Sequence, residues 1–470
     1  MILEDTICAI STPPGSGAIA IIRLAGPEAI HISDQIFRPA GKNKKLKDCA
    51  ANSVHYGNIT NGETDIDEVV VTLFRAPHSF TGEDIIEISC HGSPYIQQKI
   101  LQIITDHGGR LAKPGEFTQR AFLNGKMDLS QAEGVADLIA ARSEAARRVA
   151  LKQMKGGFSG ELINLRSKLL EFTSLIELEL DFSEEDVEFA DRSQLISLVD
   201  QIDRVLKKLI DSFSLGNAIK NGIPVAIVGH TNAGKSTLLN ALLQEERAIV
   251  TDVHGTTRDA IEDVMNIEGI TFRFIDTAGI RETIDKVENM GIALTYSKIK
   301  QASIIILMMD VRDEDEKIHQ AVASVKEHMN ENDQKLIVVI NKTDLSTPEE
   351  IEKRFSGHSF RELTGTDAIV PLSAQNHTHL DHLTRELLNS VNTESVDQNE
   401  VVVTNVRHYE ALKNAREGIL RTREGLENGI SGDFLAQDIR EVLHYLGEIT
   451  GQISTDEVLG NIFKNFCIGK

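Results

Sequence analysis

The chain has 470 residues, of which 71 are Asp or Glu and 49 are Lys or Arg, leaving a formal net charge of −22. Such a charge opposes wholesale coating of polyphosphate backbones, and the lack of Trp with only 5% aromatic residues disfavours a base-stacking platform. No apolar run reaches the ~18 residues of a membrane span, the opening Met1-Ile2-Leu3-Glu4-Asp5 lacks a basic secretory start, and Cys8, Cys49, Cys90 and Cys467 form no CxxC pair.

These features predict an acidic, soluble cytoplasmic protein of roughly two to four domains. In chain order, strands are expected at Ala18–Leu24, Val69–Phe74 and Ile85–Ser89, with helices near Pro27–Phe37 and Pro94–His107, which makes a small α/β or α+β domain. No proline lies between Gly115 and Ile223 or after Pro371. An interior proline costs a helix ~3 kcal/mol, so these stretches are expected to be helical. Leu129 to Val149 is rich in Ala, Leu, Glu and Arg, and Leu169, Leu170, Phe172, Leu175, Ile176, Leu178 and Leu180 fit one broad helix face. The acidic run Asp181–Asp191 is expected as a solvated loop or a helix start. Between the helical segments, Val225–Val228, Ile270–Ile275, Ile304–Met309, Leu336–Ile340 and Ile369–Leu372 are short apolar runs, each followed by a turn and a helical stretch. That is how a parallel sheet with crossover helices is written. From about His408 to Phe466 the chain is helical in character again. The expected organisation is an N-terminal α/β domain at 1–120, a helical domain in two segments at 121–218 and 385–470, and a doubly wound α/β domain inserted at 219–384.

The inserted domain carries the chemistry. Gly229-His-Thr-Asn-Ala-Gly234-Lys235-Ser236 matches GxxxxGK[ST] between a strand and the helix Thr237–Leu243. Glycines let backbone N–H groups wrap a phosphate at the helix N-terminus; Lys235 would reach the β/γ-phosphates and the Ser236 hydroxyl would hold Mg²⁺. Asn341-Lys342-Thr343-Asp344 follows a strand, and the Asp344 carboxylate can accept from guanine N1–H and N2–H₂, an edge adenine lacks. Ser373-Ala374 is the expected backbone donor to guanine O6. Asp276-Thr277-Ala278-Gly279 ends another strand, with Asp276 reaching Mg²⁺ through water and the Gly279 amide sensing the γ-phosphate. In Gly255-Thr256-Thr257-Arg258-Asp259, Thr257 rather than Thr256 is the expected second Mg²⁺ ligand. The candidate GTP-binding residues are Asn232, Ala233, Gly234, Lys235, Ser236 and Thr237; Thr251, Asp252, Val253, His254, Gly255, Thr256 and Thr257; Asp276, Thr277, Ala278 and Gly279; and Asn341, Lys342, Asp344, Ser373 and Ala374.

These four motifs resemble those of the translation-factor-like, Ras-like P-loop GTPases. One departure is informative: after Asp276-Thr-Ala-Gly279 stands Ile280, where Ras-type proteins carry a water-orienting glutamine, so water activation must come from elsewhere. Asn232 resembles the asparagine of potassium-activated GTPases, in which K⁺ takes the place of an arginine finger; carbonyls of Thr251, Val253 and Thr256 would complete its shell. Without that resemblance Asn232 also fits a turn-stabilising asparagine.

Outside the inserted domain, Thr12-Pro-Pro-Gly15, Thr81-Gly-Glu-Asp84, Cys90-His-Gly92, Pro114-Gly-Glu-Phe117, Arg120-Ala-Phe-Leu-Asn124 and the closing Cys467-Ile-Gly-Lys470 resemble, in order and over the whole chain, the MnmE (TrmE) family of tRNA-modification GTPases. The resemblance implies a homodimer joined through folate-binding N-terminal domains and G domains that meet across the dimer. It also implies work with the flavin protein MnmG on C5 of the wobble uridine of certain tRNAs. A reduced one-carbon tetrahydrofolate (5-formyl or methylene) would be held by Arg23, Glu87, Lys126 and Lys470, each of which taken singly also fits a surface charge. Cys467 is either a participant in one-carbon chemistry or a buried apolar cysteine. Glu288, twelve residues past Asp276, corresponds to the family's base-like glutamate and would act on the attacking water with Lys235 as the other catalytic residue; as a bare residue it also fits a helix surface. The runner-up reading is a K⁺-dependent GTPase switch in ribosome assembly, and a third is a folate-sensing regulator without a direct part in chemistry.

Overall fold

The computed structural model describes residues 5–41, 45–181, 192–245, 263–275, 298–330, 334–355, 366–391, 401–464, 466, 468 and 469. The chain divides into two compact units, one made of Met1–Ala140, Ala150–Leu206 and Glu410–Lys470, the other of Ala141–Val149 and Lys207–Tyr409.

In the first unit, β1 (Ile7–Ile10) and β2 (Ile19–Ala25) lead to α1 (Ala29–Ile36) and the short β3 (Phe37–Pro39). Then come β4 (Ser53–Thr60), β5 (Asp65–Phe74), β6 (Ile85–His91), α2 (Pro94–Asp106), β7 (Arg110–Leu111) and α3 (Glu116–Leu123). The strands form one sheet in the order β3-β4-β5-β6-β2-β1-β7, antiparallel except for β1 with β7. Alternation decides its faces. In β5, Val69, Val71 and Leu73 are buried while Glu68 and Val70 are exposed, the period of two that sends successive side chains to opposite sides. Helix α1 buries Ala29, Ile32, Ser33 and Ile36 at i, i+3, i+4 and i+7, and α2 adds Ile100, Ile103 and Ile104 to the same core.

Helices α4 (Leu129–Ala140), α5 (Glu144–Met154), α6 (Gly157–Asp181) and α7 (Arg192–Asp211) follow. The Ala-rich stretch after Leu129 is therefore two helices, divided where the Ser143 hydroxyl accepts from the Ala146 amide at 3.1 Å and so caps α5. In α6 the buried stripe is Leu162, Leu165, Leu169, Thr173 and Ile176, whereas Leu170, expected on the apolar face, is 40% exposed. Leu178 and Leu180 have no described side chains, and the acidic run beyond Asp181 lies outside the described residues.

The second unit, which also takes Ala141–Val149 and the chain from Lys207, contains α8 (Phe213–Asn221), β8 (Ile223–Gly229) and α9 (Lys235–Glu245). It continues with β9 (Asp263–Ile267), β10 (Ile270–Phe274), β11 (Ile304–Asp310), α10 (Asp315–Lys326), β12 (Lys335–Asn341), α11 (Pro348–Phe355), β13 (Ala368–Pro371) and α12 (Leu380–Asn389). The sheet order is β13-β12-β11-β8-β10-β9, parallel throughout except for β9. Ile304 to Met309 are all buried, because both faces of a parallel sheet are covered and its strands become continuous apolar runs. One layer of core, from Ile227, Ile306 and Val339 with Leu238 and Leu383, lies on one face; Val228, Leu307 and Val338 with Ile318 and Val322 make up the other. This is a doubly wound α/β fold.

The first unit is completed by α13 (Val406–Glu427), α14 (Gly432–Thr450) and α15 (Asp456–Phe463). Helix α14 buries Leu435, Ile439, Val442, Leu446 and Ile449. Arg416 of α13 pairs with Asp203 of α7 at 2.7 Å. Helix α15 ends at Phe463, three residues short of the helical stretch expected to reach Phe466, and Leu459 and Phe463 pack with Leu129, Ala132, Phe122 and Phe466. Among the described residues, no helix is long and apolar enough to cross a membrane.

Candidate functional site

In an open α/β sheet, ligands bind outside the carboxyl ends of the strands, and the motif residues of the second unit lie there. The phosphate loop leaves β8 at Gly229 and enters α9 at Lys235. Three backbone positions explain its sequence. Gly229 has φ +148°, and a Cβ there would meet the Met308 carbonyl oxygen at 2.4 Å. Gly234 has φ +99°, and its Cβ would meet Asn341 Nδ2 at 2.3 Å. Asn232 adopts φ +64°, the left-handed region that asparagine tolerates better than most residues. It is exposed, as are Ser236 and Thr237 on the first turn of α9.

Lys235 Nζ donates to the carbonyls of Gly229 and His230, both at 2.8 Å. An ammonium has three donors, and these contacts use two of them, keeping the cation on the loop with one for an anion. Burial pushes the Lys235 amine below its ordinary value, and the nearby Lys298 adds to the shift.

The guanine motif is joined to this loop through Asn341, which is 3% exposed. Its Nδ2 donates to the Ala233 carbonyl at 2.8 Å and its Oδ1 accepts from the Ala374 amide at 3.0 Å. Asp344 Oδ1 accepts from the Ser373 hydroxyl at 2.5 Å. Ser373 is wholly buried and forms a two-bond bridge with Thr378, each amide donating to the other's carbonyl at 3.1 Å. Lys342 takes φ +64°, a conformation that costs a non-glycine residue about 1–3 kcal/mol and persists only where its surroundings impose it. Its ammonium pairs with Asp310 Oδ2 at 2.8 Å. Asn232, Ala233, Gly234, Lys235, Ser236, Thr237, Asn341, Lys342, Asp344, Ser373 and Ala374 are thus all carried by the loops at the carboxyl ends of β8, β12 and β13. Thr251, Asp252, Val253, His254, Gly255, Thr256, Thr257, Asp276, Thr277, Ala278, Gly279 and Glu288 lie outside the described residues.

A second constellation sits in the first unit. Arg23 and Glu87 face each other across β2 and β6, with Arg23 Nε and Nη2 donating to Glu87 Oε1 at 2.9 and 2.7 Å. The guanidinium lies 5.5 Å from the Phe80 ring centre and 5.7 Å from that of Phe117, within reach of a cation–π contact. Its Nη1 donates to the Gly469 carbonyl at 3.4 Å, and the Ser11 hydroxyl donates to the same oxygen at 3.1 Å. The far end of the chain is therefore held beside β1 and β2. Lys126 Nζ donates to the Pro77 carbonyl at 2.9 Å. Cys467 and Lys470 lie outside the described residues. Cys8, Cys49 and Cys90 are buried, and burial pushes the Cys8 and Cys90 thiols up to about 11.

Two sets of residues escaped the motif reading. One is an ion network supporting the second constellation. Arg120, 1% exposed, pairs with Asp5, Glu83 and Glu116 at 2.6, 3.1 and 3.3 Å, and Arg110 grips Glu116 with two bonds at 3.0 and 2.6 Å. Arg120 Nε and Glu83 Oε2 are buried without a partner among the described residues. Arg120 and Glu83 both stood inside recognised motifs, but their partner Asp5 is 115 residues from Arg120, beyond any local signal. The other is Asp310, whose only mark in the sequence is a carboxylate ending an apolar strand.

Residues 6–126 match the family described as "GTP-binding protein TrmE N-terminus", and residues 129–467 match "MnmE helical domain". The chain is 56% identical over 469 residues to "tRNA modification GTPase MnmE" of Bacteroides thetaiotaomicron, covering 99% of this chain and 100% of that one. It is 52% identical over 472 residues to the protein of the same name from Flavobacterium johnsoniae, covering 100% of both. The chain belongs to the MnmE (TrmE) family. Among solved structures it is similar to a point variant of Aquifex aeolicus Era bound to GDP·AlF4⁻, at 25% identity and TM-score 0.27, over 42% of this chain and 66% of that one. A structure of Era with MgGDPNP and nucleotides 1506–1542 of 16S ribosomal RNA matches at 29% identity, TM-score 0.27 and the same coverage.

Proposed function

We infer that this chain is a GTP hydrolase acting in tRNA modification. The observation that carries the reading is the pair of Asn341 bonds, which join a GxxxxGKS loop to an NKxD loop at the carboxyl ends of the strands, in a chain that matches tRNA modification GTPases along its whole length. The joint geometry offers phosphate groups the α9 N-terminus and Lys235, and offers guanine the Asp344 carboxylate.

We propose the finer assignments as follows. The product is an aminomethyl-type group at C5 of the wobble uridine of certain tRNAs, made together with the flavin protein MnmG. Ser236 and Thr257 would hold Mg²⁺; a hydroxyl oxygen on an exposed first helical turn suits a hard cation that keeps most of its ligands as water and phosphate. Bound there, Mg²⁺ neutralises charge on the β- and γ-phosphates. Asn232 would hold K⁺ with carbonyls of Thr251, Val253 and Thr256, and its exposed left-handed position in the loop is compatible with that role. Glu288 polarises the attacking water, in place of the glutamine that Ile280 replaces.

A reduced one-carbon tetrahydrofolate would be held by Arg23, Glu87, Lys126 and Lys470. The fit is chemical: the Glu87 carboxylate suits an N–H-edged heterocycle, the part-exposed Phe80 ring offers an apolar face near Arg23, and cations suit glutamate carboxylates. Homodimerisation through the N-terminal sheet is supported by Val54, Tyr56 and Val70, which are 65%, 54% and 38% exposed on neighbouring strands β4 and β5.

Mass spectrometry of tRNA nucleosides from cells lacking this gene, then complemented, tests the reading. Loss of C5-aminomethyl-type wobble uridines, restored by the wild type but not by Lys235→Ala, is the expected result. Unchanged nucleosides would overturn it and bring forward a GTPase switch in ribosome assembly.

A further inference from the structure

Strand β11 is apolar and buried from Ile304 to Met309 and then ends in a carboxylate, Asp310. The β11–β12 register sets Asp310 directly opposite Asn341, so this carboxylate adjoins the start of the guanine motif. Among the described residues, every hydrogen bond its oxygens accept comes from a cation or a backbone amide. Arg312 grips it through Nε to Oδ1 at 2.9 Å and Nη2 to Oδ2 at 2.8 Å, and the Arg312 amide donates to Oδ1 at 3.0 Å. Lys342 Nζ completes the set at 2.8 Å from Oδ2. The Arg312 and Lys342 bonds outweigh burial and hold the Asp310 carboxyl well below the usual carboxylate range.

We propose that Asp310 is a positioning residue for guanine nucleotides, acting by holding Lys342 in place beside Asp344. Two features converge on Lys342. Its backbone occupies the left-handed region at φ +64°, where a glycine would sit without strain, so what the lysine adds at this position is its side chain. That side chain is among the costliest to order, and a partner that orders it before the ligand arrives raises affinity. Asp310 is itself clamped by Arg312, so it is a fixed post and not a second mobile group. The device affects the base, not the phosphates. It therefore sets affinity for GTP and GDP alike and leaves the hydrolytic step untouched.

The proposal rests on Asp344 and Lys342 lying at the guanine base, and the test separates the two claims. Binding of GDP and of a non-hydrolysable GTP analogue is measured on the full chain, with kcat and KM for GTP, in Asp310→Asn, Lys342→Met, the double variant and Arg312→Gln. Asp310→Asn is expected to weaken both nucleotides about ten-fold, the factor for fixing one rotamer-rich side chain, and to raise KM with kcat unchanged. In the Lys342→Met background the same substitution has no further effect, and Arg312→Gln, which loosens the post but leaves Lys342 its partner, weakens binding by less than Asp310→Asn does. If Lys342→Met leaves both affinities intact, the placement of the base is wrong. If Lys342→Met weakens binding but Asp310→Asn does not, or weakens it equally in both backgrounds, Asp310 does not act through Lys342 and the proposal fails alone.

Discussion

The side chain of Asn341 links two loops, donating to Ala233 in the phosphate loop, 108 residues away, at 2.8 Å while accepting from Ala374 at 3.0 Å. The GxxxxGKS loop and the NKxD loop are therefore one mechanical unit. Asn341→Ala strands a buried carbonyl and a buried amide, each worth about 1–3 kcal/mol. Nucleotide affinity is expected to fall at least ten-fold with the sheet intact, which calorimetric binding and circular dichroism together would show.

Gly234→Ala attacks the same joint from the other side. The added methyl would lie 2.3 Å from Asn341 Nδ2 on a residue at φ +99°, so either the loop or Asn341 must move. Both GTP and GDP binding should be lost while thermal unfolding stays cooperative. A variant that bound GDP normally would show that the loop has room the backbone geometry denies.

Asp344 accepts a short bond from Ser373, which leaves a carboxylate set for two N–H donors on a base edge. Asp344→Asn replaces one acceptor lone pair by a donor and should move preference from guanosine toward xanthosine triphosphate by about 10⁴, the scale on which unpaired buried polar groups discriminate. Competition between GTP and XTP reads this directly.

Asn232 stands exposed at φ +64° in the phosphate loop. GTP hydrolysis is expected to be faster in K⁺ than in Na⁺ at equal ionic strength, and Asn232→Ala should abolish the difference. Equal rates in the two salts for the wild type would remove the monovalent cation from the mechanism.

In the first unit, burial pushes the Glu116 carboxyl up, but hydrogen bonds from Arg110 and the Lys113 amide, with the charges of Arg110 and Arg120, outweigh it and leave the group below its ordinary 4.5. A lowered carboxylate contributes stability that is present above its ordinary value and is lost as pH falls through the folded one. Thermal stability should therefore decline as pH is taken below about 4.5, and Glu116→Gln should flatten that part of the profile while lowering stability at neutral pH. A variant with an unchanged acid profile would show that other carboxylates govern acid unfolding.

Much of the second unit was legible in the residues alone. Strands β8, β10, β11, β12 and β13 coincide with apolar runs, since a parallel strand buried on both faces has no polar alternation to obscure it. The phosphate and guanine motifs were equally plain, because glycines at Gly229 and Gly234 and the order Asn341-Lys342-Thr343-Asp344 follow from backbone sterics and base chemistry that act over a few residues. Strands β3 and β7, of three and two residues, carry too little period to be seen. Strand β4, with Val54 and Tyr56 exposed, turns apolar side chains outward. What required the tertiary structure is every pairing across distance: Arg23 with Glu87 by strand register, Arg23 with Gly469 from the other end of the chain, Arg120 with Asp5, and Lys342 with Asp310. A charge takes its meaning from its partner and its burial, and neither is a property of sequence spacing once the chain has turned back on itself.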